Sequence, residues 1–495
     1  MKKNRPRIFT LNDLAARFDA ASMSPEARRH WAGADNLSAD AALQPSVRRL
    51  IVSRNRFEAN NNGYMGGILE TLADDTIGTG PRLRLMYDDP DLDISTDTQA
   101  AGTLHRRERR FYKFSKAIHL ASKLRLARLA KARDGEVFFQ KAINPGVRNE
   151  CKIDLILFET EQVSSGLCGE NQSTYKNGAP KEVDGIIYDK FGNPEQYRFY
   201  REHPGALTGT TDSYLVPAHA VIHYAHLRRP GQHRGLPELT AGLTVFNDLR
   251  RYGNSVLAAA ETAAVISFLL ETDIIPDQEE FNLDAELDEN GKRIKQLNFT
   301  DIVPIAKNAG VALPEGWKGK QLKAEQPTST YCAFSDAKLN EAARAISMPF
   351  NVAKGNSSGY NYASGRLDHQ VYHRKIAVER QNIEEFILDD IFEQWEKFDR
   401  AFHPEDYDEE WEVDHKWMWD GFEHCDPAKE ANAQTTRLQN GTTTLAEECA
   451  AQGRDYEQIL RQRGREKRLA QKYGIETEIP EQSGANTGVI DNEEE

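Results

Sequence analysis

The sequence predicts an α+β protein, in which long helices stand apart from one run of short antiparallel strands. Two patterns carry this. From Arg366 to Arg400 apolar residues recur at helical spacing: Ile383, Ile387, Ile391 and Trp395 step by four, with Leu367, Val371, Ile376 and Phe386 on or near the same side. No Gly or Pro interrupts that stretch before Pro404, so it predicts a single helix of roughly 50 Å. In contrast, EVFFQKAI, CKIDLILFETEQV, DGIIYDKFGNPEQYRFYRE and AVIHYAHLRR alternate apolar and polar residues over short runs. That alternation predicts an antiparallel β region, a small barrel or sandwich.

At 495 residues the chain holds more than one domain. With 39% hydrophobic and 28% charged residues it reads as strongly solvated. No apolar run approaches the roughly 20 residues that span a bilayer, and the basic start MKKNRPRIFTLNDLAARFDA lacks the apolar core of a signal peptide. The cysteines, Cys151, Cys168, Cys332, Cys425 and Cys449, have no metal or redox spacing and are expected to be reduced thiols in a cytoplasm. The net charge of −14 excludes a protein wrapped tightly on DNA, though not one that lets DNA pass without holding it.

Taken in order, residues 1–45 read as an N-terminal arm. Ser46 to Tyr87 reads as helix, Asn60-Asn61-Asn62-Gly63 turn, helix, then Gly78-Thr79-Gly80 into a strand. That glycine pair follows a helix and lacks the third glycine of a dinucleotide loop, so it is expected to be a helix C-cap. Leu104 to Arg133 is a basic helical stretch with Phe111, Tyr112 and Phe114 among the charges. Both nucleic-acid contact and a solvated basic face fit this pattern, and the latter is expected. His219, His223 and His226 lie in a strand pattern that splits His223 from His226 across two faces, which disfavours a metal site. Arg229 to Pro237 is a Pro-Gly turn leading through Arg234-Gly235 to a helix opened by Pro237.

Glu238 to Leu270 is expected to be one long helix, small-residue rich from Ala258 to Ala264. The acidic, loop-rich 271–327 reads as a small module, and 328–348 as a returning helix that Met348-Pro349 stops. From Asn351 to Gly365 the composition is that of a loop. Trp411 to Asp426 is aromatic and alternating; its His415, His424 and Cys425 are too irregular for zinc. Three helices follow, one from Pro427 to before Gly441, one with a Thr444–Glu447 capping box, one capped by Asp455. The acidic end from 476 to 495 is expected to be disordered.

Chemistry is sparse. Gly355-Asn356-Ser357-Ser358-Gly359 fits the nucleophile-elbow pattern, but no apolar strand precedes it, and Asp368 and His369 follow too soon on one helix to complete a triad. No phosphate-loop or zinc-protease motif is present in the sequence. No cofactor or metal is expected. The alternative kept open is a serine hydrolase or nucleic-acid enzyme using the Gly355–Gly359 loop.

Several of these segments together resemble the portal proteins of tailed bacteriophages, lambda type. The matching points are Ala345-Ile346-Ser347-Met348-Pro349, the Asn/Ser/Tyr loop, Tyr362-Ala363-Ser364-Gly365-Arg366 opening the long helix, Arg229 to Pro237, Ser46 to Leu85, and Gly421 to Glu466. Gly365 stands where that family often has alanine. The resemblance implies a portal fold: a wing of helices and a small antiparallel β region (46–236 and 366–426), long stem helices (237–270 and 328–348), an α/β clip (271–327), a tunnel loop (349–365) and a helical crown (427–475). It implies no enzyme but a ring of twelve copies at the capsid vertex of a virion, made in the host cytoplasm, with double-stranded DNA passing through without sequence specificity. The implied partners are the terminase large subunit, capsid and scaffold proteins, and neck or head-completion proteins, with no membrane. The tunnel-loop residues expected to face DNA are Lys354, Asn356, Ser357, Ser358, Tyr360, Asn361 and Tyr362.

Overall fold

The computed structural model describes residues 24–87, 98–165, 181–207, 212–265, 269–272, 317–320, 330–407, 413–422 and 427–475. The arm before Ser24, most of 271–327, the pair His424–Cys425 and the acidic end lie outside the described residues. The chain divides into two compact units: Gly242–Arg344 is one, and the residues on either side of it form the other.

In the larger unit α1 (Pro45–Asn61) opens with proline at its first turn, where a missing amide hydrogen costs nothing. Asn62 then caps α2 (Gly63–Ile77), its Oδ1 accepting from the amides of Tyr64 and Met65. Met65, Ile68, Leu69, Leu72 and Ile77 repeat at helical spacing and are buried. As expected, Gly78 ends the helix with positive φ before β1 (Arg82–Tyr87). The Thr79 amide there already donates to Asp420 Oδ2 at 2.6 Å, so the turn holds a carboxylate of its own chain.

The basic stretch forms two helices, α3 (Thr98–Ala117) and α4 (Leu120–Asp134), broken at His119, which sits in the left-handed region at φ 54°. Most of its cations are not a solvated face. Arg106 pairs with Asp406, Arg107 with Glu396, Arg110 with Asp399 and Asp406, Arg128 with Glu238 and Lys131 with Glu379. Lys123 meets Asp154, and Arg125 meets Glu70 and Asp74. The expectation failed because their partners lie far away in sequence.

Strands β2 (Glu136–Ile143), β3 (Ile153–Phe158), β4 (Lys181–Val183), β5 (Ile186–Tyr188), β6 (Pro194–Tyr200), β7 (Ser213–Pro217) and β8 (Val221–Ala225) make two antiparallel sheets, ordered β3-β2-β8 and β4-β5-β6-β7. Phe138 on β2 packs with Tyr197 and Phe199 on β6, so the two sheets share a core. His223 on β8 stacks on Phe138 and reaches Glu136 Oε2 at 2.9 Å. A carboxylate therefore sits beside one of the histidines; it arrives from the neighbouring strand.

In the smaller unit the expected single helix 238–270 is shorter. A 3-10 turn, Glu238–Ala241, precedes the unit, then α5 (Leu243–Val265) gives way to β9 (Leu269–Thr272). β9 pairs antiparallel with β10 (Trp317–Lys320), and α6 (Thr330–Arg344) returns against α5. Tyr252 meets Tyr331 and Phe334, while a Cβ on Gly242 would stand 3.3 Å from the Ala342 carbonyl oxygen. The two helices are thus antiparallel.

Back in the larger unit, α7 (Phe350–Lys354) is a single short helix. The long helix runs through α8 (Tyr362–Ile383), a π-turn at Glu384–Leu388 and α9 (Asp389–Phe402), roughly 60 Å in all. Ile383, Ile387, Ile391 and Trp395 share one core cluster with Phe111, Leu124, Phe139 and Ile222, and Ile376 is buried as well. Leu367, Val371 and Phe386 are exposed instead. At 3.6 residues per turn Leu367 falls about 160° from Ile383, so those residues belong to other faces. β11 (Val413–Met418) pairs with β1. Helices α10 (Pro427–Gln439), α11 (Leu445–Ala451) and α12 (Tyr456–Tyr473) follow, with the Thr444–Glu447 capping box and the Asp455 cap both formed.

The tightest junction of the larger unit is a buried ion cluster. Arg234 donates to Glu136 Oε1 at 2.6 and 2.8 Å, to the Val163 and Thr160 carbonyls at 2.9 Å, and lies 3.1 Å from Asp184 Oδ2. Arg48 reaches Asp184 at 2.5 Å and Glu136 at 3.5 Å. Asp184-Gly185 forms the two-residue turn between β4 and β5, both at positive φ, as an Asp-Gly hairpin favours. Glycine is required at Gly235, where a Cβ would stand 2.2 Å from the Gly135 carbonyl oxygen. The Arg234-Gly235 pair of the sequence motif therefore has a physical cause.

Burial pushes the carboxyls of Glu136 and Asp184 up, but Arg234 and Arg48 outweigh it and hold both below the ordinary carboxylate range. Groups with depressed folded-state values give stability that is present above the unfolded value of about 4 and lost as pH falls through the folded one. Thermal stability is expected to decline as pH drops below about 4. Glu136→Gln leaves two buried guanidiniums short of charge and should lose about 3–5 kcal/mol at neutral pH, with a shallower acid limb in a denaturation series. An unchanged acid limb would show that the cluster is not the acid-sensitive element.

Candidate functional site

The structure sharpens the polar loop before the long helix. The expected loop Asn351–Gly365 is shorter, because Phe350–Lys354 is helical and the long helix begins at Tyr362. Pro349 fixes the entry to α7, and Gly355 closes it in the left-handed region at φ 66°. Seven residues, Gly355 to Asn361, remain as loop. Lys354 sits in the last turn of α7, with Nζ 5.4 Å from the Phe350 ring centroid. Tyr362 is the first residue of the long helix.

Within the loop Asn356, Ser357, Ser358 and Asn361 are exposed and Tyr360 is half-buried. The Ser358 amide donates to Asn356 Oδ1 at 2.8 Å, and the Tyr360 amide to the Ser357 carbonyl at 3.1 Å. The Tyr360 hydroxyl donates to Asp368 Oδ2 at 2.6 Å, tying the loop to the helix that follows. That bond, more than burial, pushes the phenol up to about 12. Gly365 packs under the same ring; a Cβ there would stand 2.9 Å from Tyr360 Cδ1. This explains glycine where alanine is common in the resembling family.

The nucleophile reading finds no geometry. Ser357 Oγ accepts from Asn351 Nδ2 at 3.3 Å, and His369 Nε2 faces that same amide nitrogen at 3.3 Å. The amide therefore stands between serine and histidine, and Asp368 is taken by Tyr360. No strand delivers Ser357; helix α7 does. Behind the loop lies a cleft of about 440 Å³ between α7 and the glycine-bearing start of α2, lined by Gly63, Gly67, Thr71 and Ala353.

Among the described residues Glu159, Glu161 and His203 are close enough to share a metal ion. Arg56 already bridges the two carboxylates at 3.4 and 3.0 Å, and His203 Nδ1 accepts from the Gly205 amide at 3.0 Å. That acceptor role leaves the proton on Nε2, the nitrogen facing the carboxylates, so the group is an ion-pair cluster rather than a ligand set.

Fold and loop define a class of subunit: a long-helix α+β chain with a polar, uncharged loop at the root of that helix. A family model described as phage portal protein, lambda family, matches residues 25–380, and the chain belongs to that family. The family is a structural one. A probable portal protein of Halomonas phage phiHAP-1 is 23% identical over 360 residues, which cover 70% of this chain and 65% of that protein. The chain therefore spans just under two thirds of that relative. Among solved structures, the neck of an empty gene transfer agent particle aligns at TM-score 0.40 and 11% identity, over 79% of this chain and 90% of that one. The virion of a native gene transfer agent aligns at 0.42 and 12%, over 82% and 93%. Among the described residues no helix is long and apolar enough to cross a membrane.

The Tyr360–Asp368 tie generates a test. Tyr360→Phe should cost about 0.5–1.5 kcal/mol or less in global stability but speed protease cleavage between Gly355 and Asn361. Equal cleavage rates in variant and parent would show that the tie does not hold the loop.

Proposed function

We propose that the chain is the subunit of a phage portal, a ring at one capsid vertex through which DNA enters and leaves. The observation that carries this is the family match across residues 25–380, which takes in the loop and most of α8. Exposed apolar side chains support it: Leu367, Val371, Val378 and Phe386 line the outer sides of the long helix, surface that neighbouring copies would cover. The ring is proposed to hold twelve copies in the virion. The antiparallel pair α5 and α6 is its stem, 271–327 its clip, and α10 to α12 its crown. The clip would take the terminase large subunit during packaging and neck proteins afterwards.

In this reading the loop from Gly355 to Asn361, flanked by Lys354 and Tyr362, faces DNA. Asn356, Ser357, Ser358, Tyr360 and Asn361 are polar and uncharged, so they touch phosphates without the counterion release that grips them. The chain's net charge of −14 adds no overall attraction for DNA.

Electron microscopy of purified protein should display closed rings with a central hole. A monodisperse monomer at micromolar concentration across several salt conditions would count heavily against the ring. In a phage or prophage host, Ser357→Ala should leave particle yield unchanged. Arginine at 356, 357 and 358 together should slow packaging or ejection, most at low salt. A dead alanine variant beside a healthy arginine variant would return the serine to the role of nucleophile.

A further inference from the structure

Most cations of α3 and α4 are spent on carboxylates elsewhere in the larger unit, yet two at the end of α3 are not. Lys113 and Lys116, with Arg148 from the β2–β3 loop, line a cleft of about 690 Å³ together with His119 and Asn149. None of the lining residues is acidic. All three cations are exposed, and among the described residues none of them forms an ion pair. Lys116 Nζ instead sits 4.6 Å from the exposed Tyr112 ring. The acid of the β2–β3 loop, Glu150, borders the neighbouring cleft and is bound by His403 at 2.9 Å.

The site is built rather than incidental. Val147, next to Arg148, is plugged into the main core. The loop is braced by Asn144 N–H to the Lys152 carbonyl at 2.8 Å, Gly146 N–H to Asn144 Oδ1 at 2.9 Å, Cys151 N–H to Asn149 Oδ1 at 3.0 Å and Lys152 Nζ to the Val147 carbonyl at 2.8 Å. On the other wall the left-handed break at His119 ends the run of α3 and fixes where Lys113 and Lys116 stand.

We propose that this cleft binds the phosphodiester backbone of nucleic acid. Unneutralised cations held close together repel one another, and an anion entering the cleft relieves that repulsion. Two lysines offer point charges and Arg148 a planar fork that matches phosphate oxygens. Ala117 is the sole apolar side chain in the lining. An acidic peptide would therefore find charge but no anchor for its side chains, whereas a phosphate backbone needs none. Contacts of this kind carry no sequence preference. The site stands on the cleft alone, apart from the loop at Gly355–Asn361, and does not depend on that loop's facing DNA.

The test is binding of a short fluorescein-labelled DNA duplex to the full chain by anisotropy, at salt from about 50 to 200 mM. The cleft variant is Lys113→Gln, Lys116→Gln and Arg148→Gln together. A control removes the same charge from exposed positions on α12, Arg463→Gln, Arg465→Gln and Lys467→Gln. The cleft variant should lose about tenfold or more in affinity, with the slope of log K against log salt shallower by about 2 to 3; the control should lose much less. Because the three side chains are exposed and unpaired, an unchanged circular dichroism spectrum and melting curve are expected. Equal losses in both variants would overturn the proposal. So would displacement of the duplex by polyglutamate as readily as by unlabelled DNA of the same total charge. A third variant, alanine at 356, 357 and 358, separates this site from the loop. Binding lost there but kept in the cleft variant overturns the cleft, while the reverse supports it whether or not the chain forms rings.

Discussion

The Arg234–Glu136 contact, with Arg48 and Asp184 closing around it, is the constraint on which the larger unit depends. Each of these groups is almost wholly removed from water. A charge so placed is tolerated only when paired and fully hydrogen-bonded. Arg234 meets that condition by gathering the start of β2, the Thr160–Val163 turn and the β4–β5 hairpin onto one guanidinium. Arg48 adds α1, and the Gly235 amide donates to the same glutamate at 2.7 Å. The close crossing of Gly135 and Gly235 follows, because no side chain fits between two backbones held that tightly.

A second buried set couples this sheet region to the long helix. Arg128 pairs with Glu238 at 2.7 Å, and Lys131 with Glu379 at 2.7 Å, while the Tyr224 hydroxyl also meets Glu379. Burial pushes the carboxyls of Glu238 and Glu379 up, but Arg128 outweighs it in both, joined by Lys375 at Glu238 and by Lys131 at Glu379. The long helix is thereby pinned at Glu379 by charge and from Ile383 to Trp395 by apolar packing. Exposed apolar residues lie along both halves, Leu367, Val371 and Val378 before the π-turn and Phe386 and Phe402 within or after it.

The loop itself is defined by what its residues already do. Ser357 is bonded to an amide, Asp368 to a phenol and His369 faces the amide again. Each group that could have made a hydrolase is engaged in shaping a turn. What remains outward between Gly355 and Asn361 is uncharged.

The sequence by itself determined whatever depends on neighbours along the chain. The 3.6-residue repeat of Ile383, Ile387, Ile391 and Trp395, the alternation in the strands, the glycine stop at Gly78 and the Thr444 capping box are local, and each formed as read. The motifs that pointed to the portal family were legible for the same reason, being contiguous runs. Only the tertiary structure decided which charges are free. The basic stretch from Leu104 to Arg133 looks solvated in one dimension, because Asp406, Asp399, Glu379 and Glu238 lie over a hundred residues away. Likewise Leu367 and Phe386 read as core until the helix's neighbours fixed which side was covered. Glu136, isolated in sequence, became the partner of His223 and Arg234 through strand pairing and a distant turn, since desolvation and charge pairing act across space and leave no periodic trace in the chain.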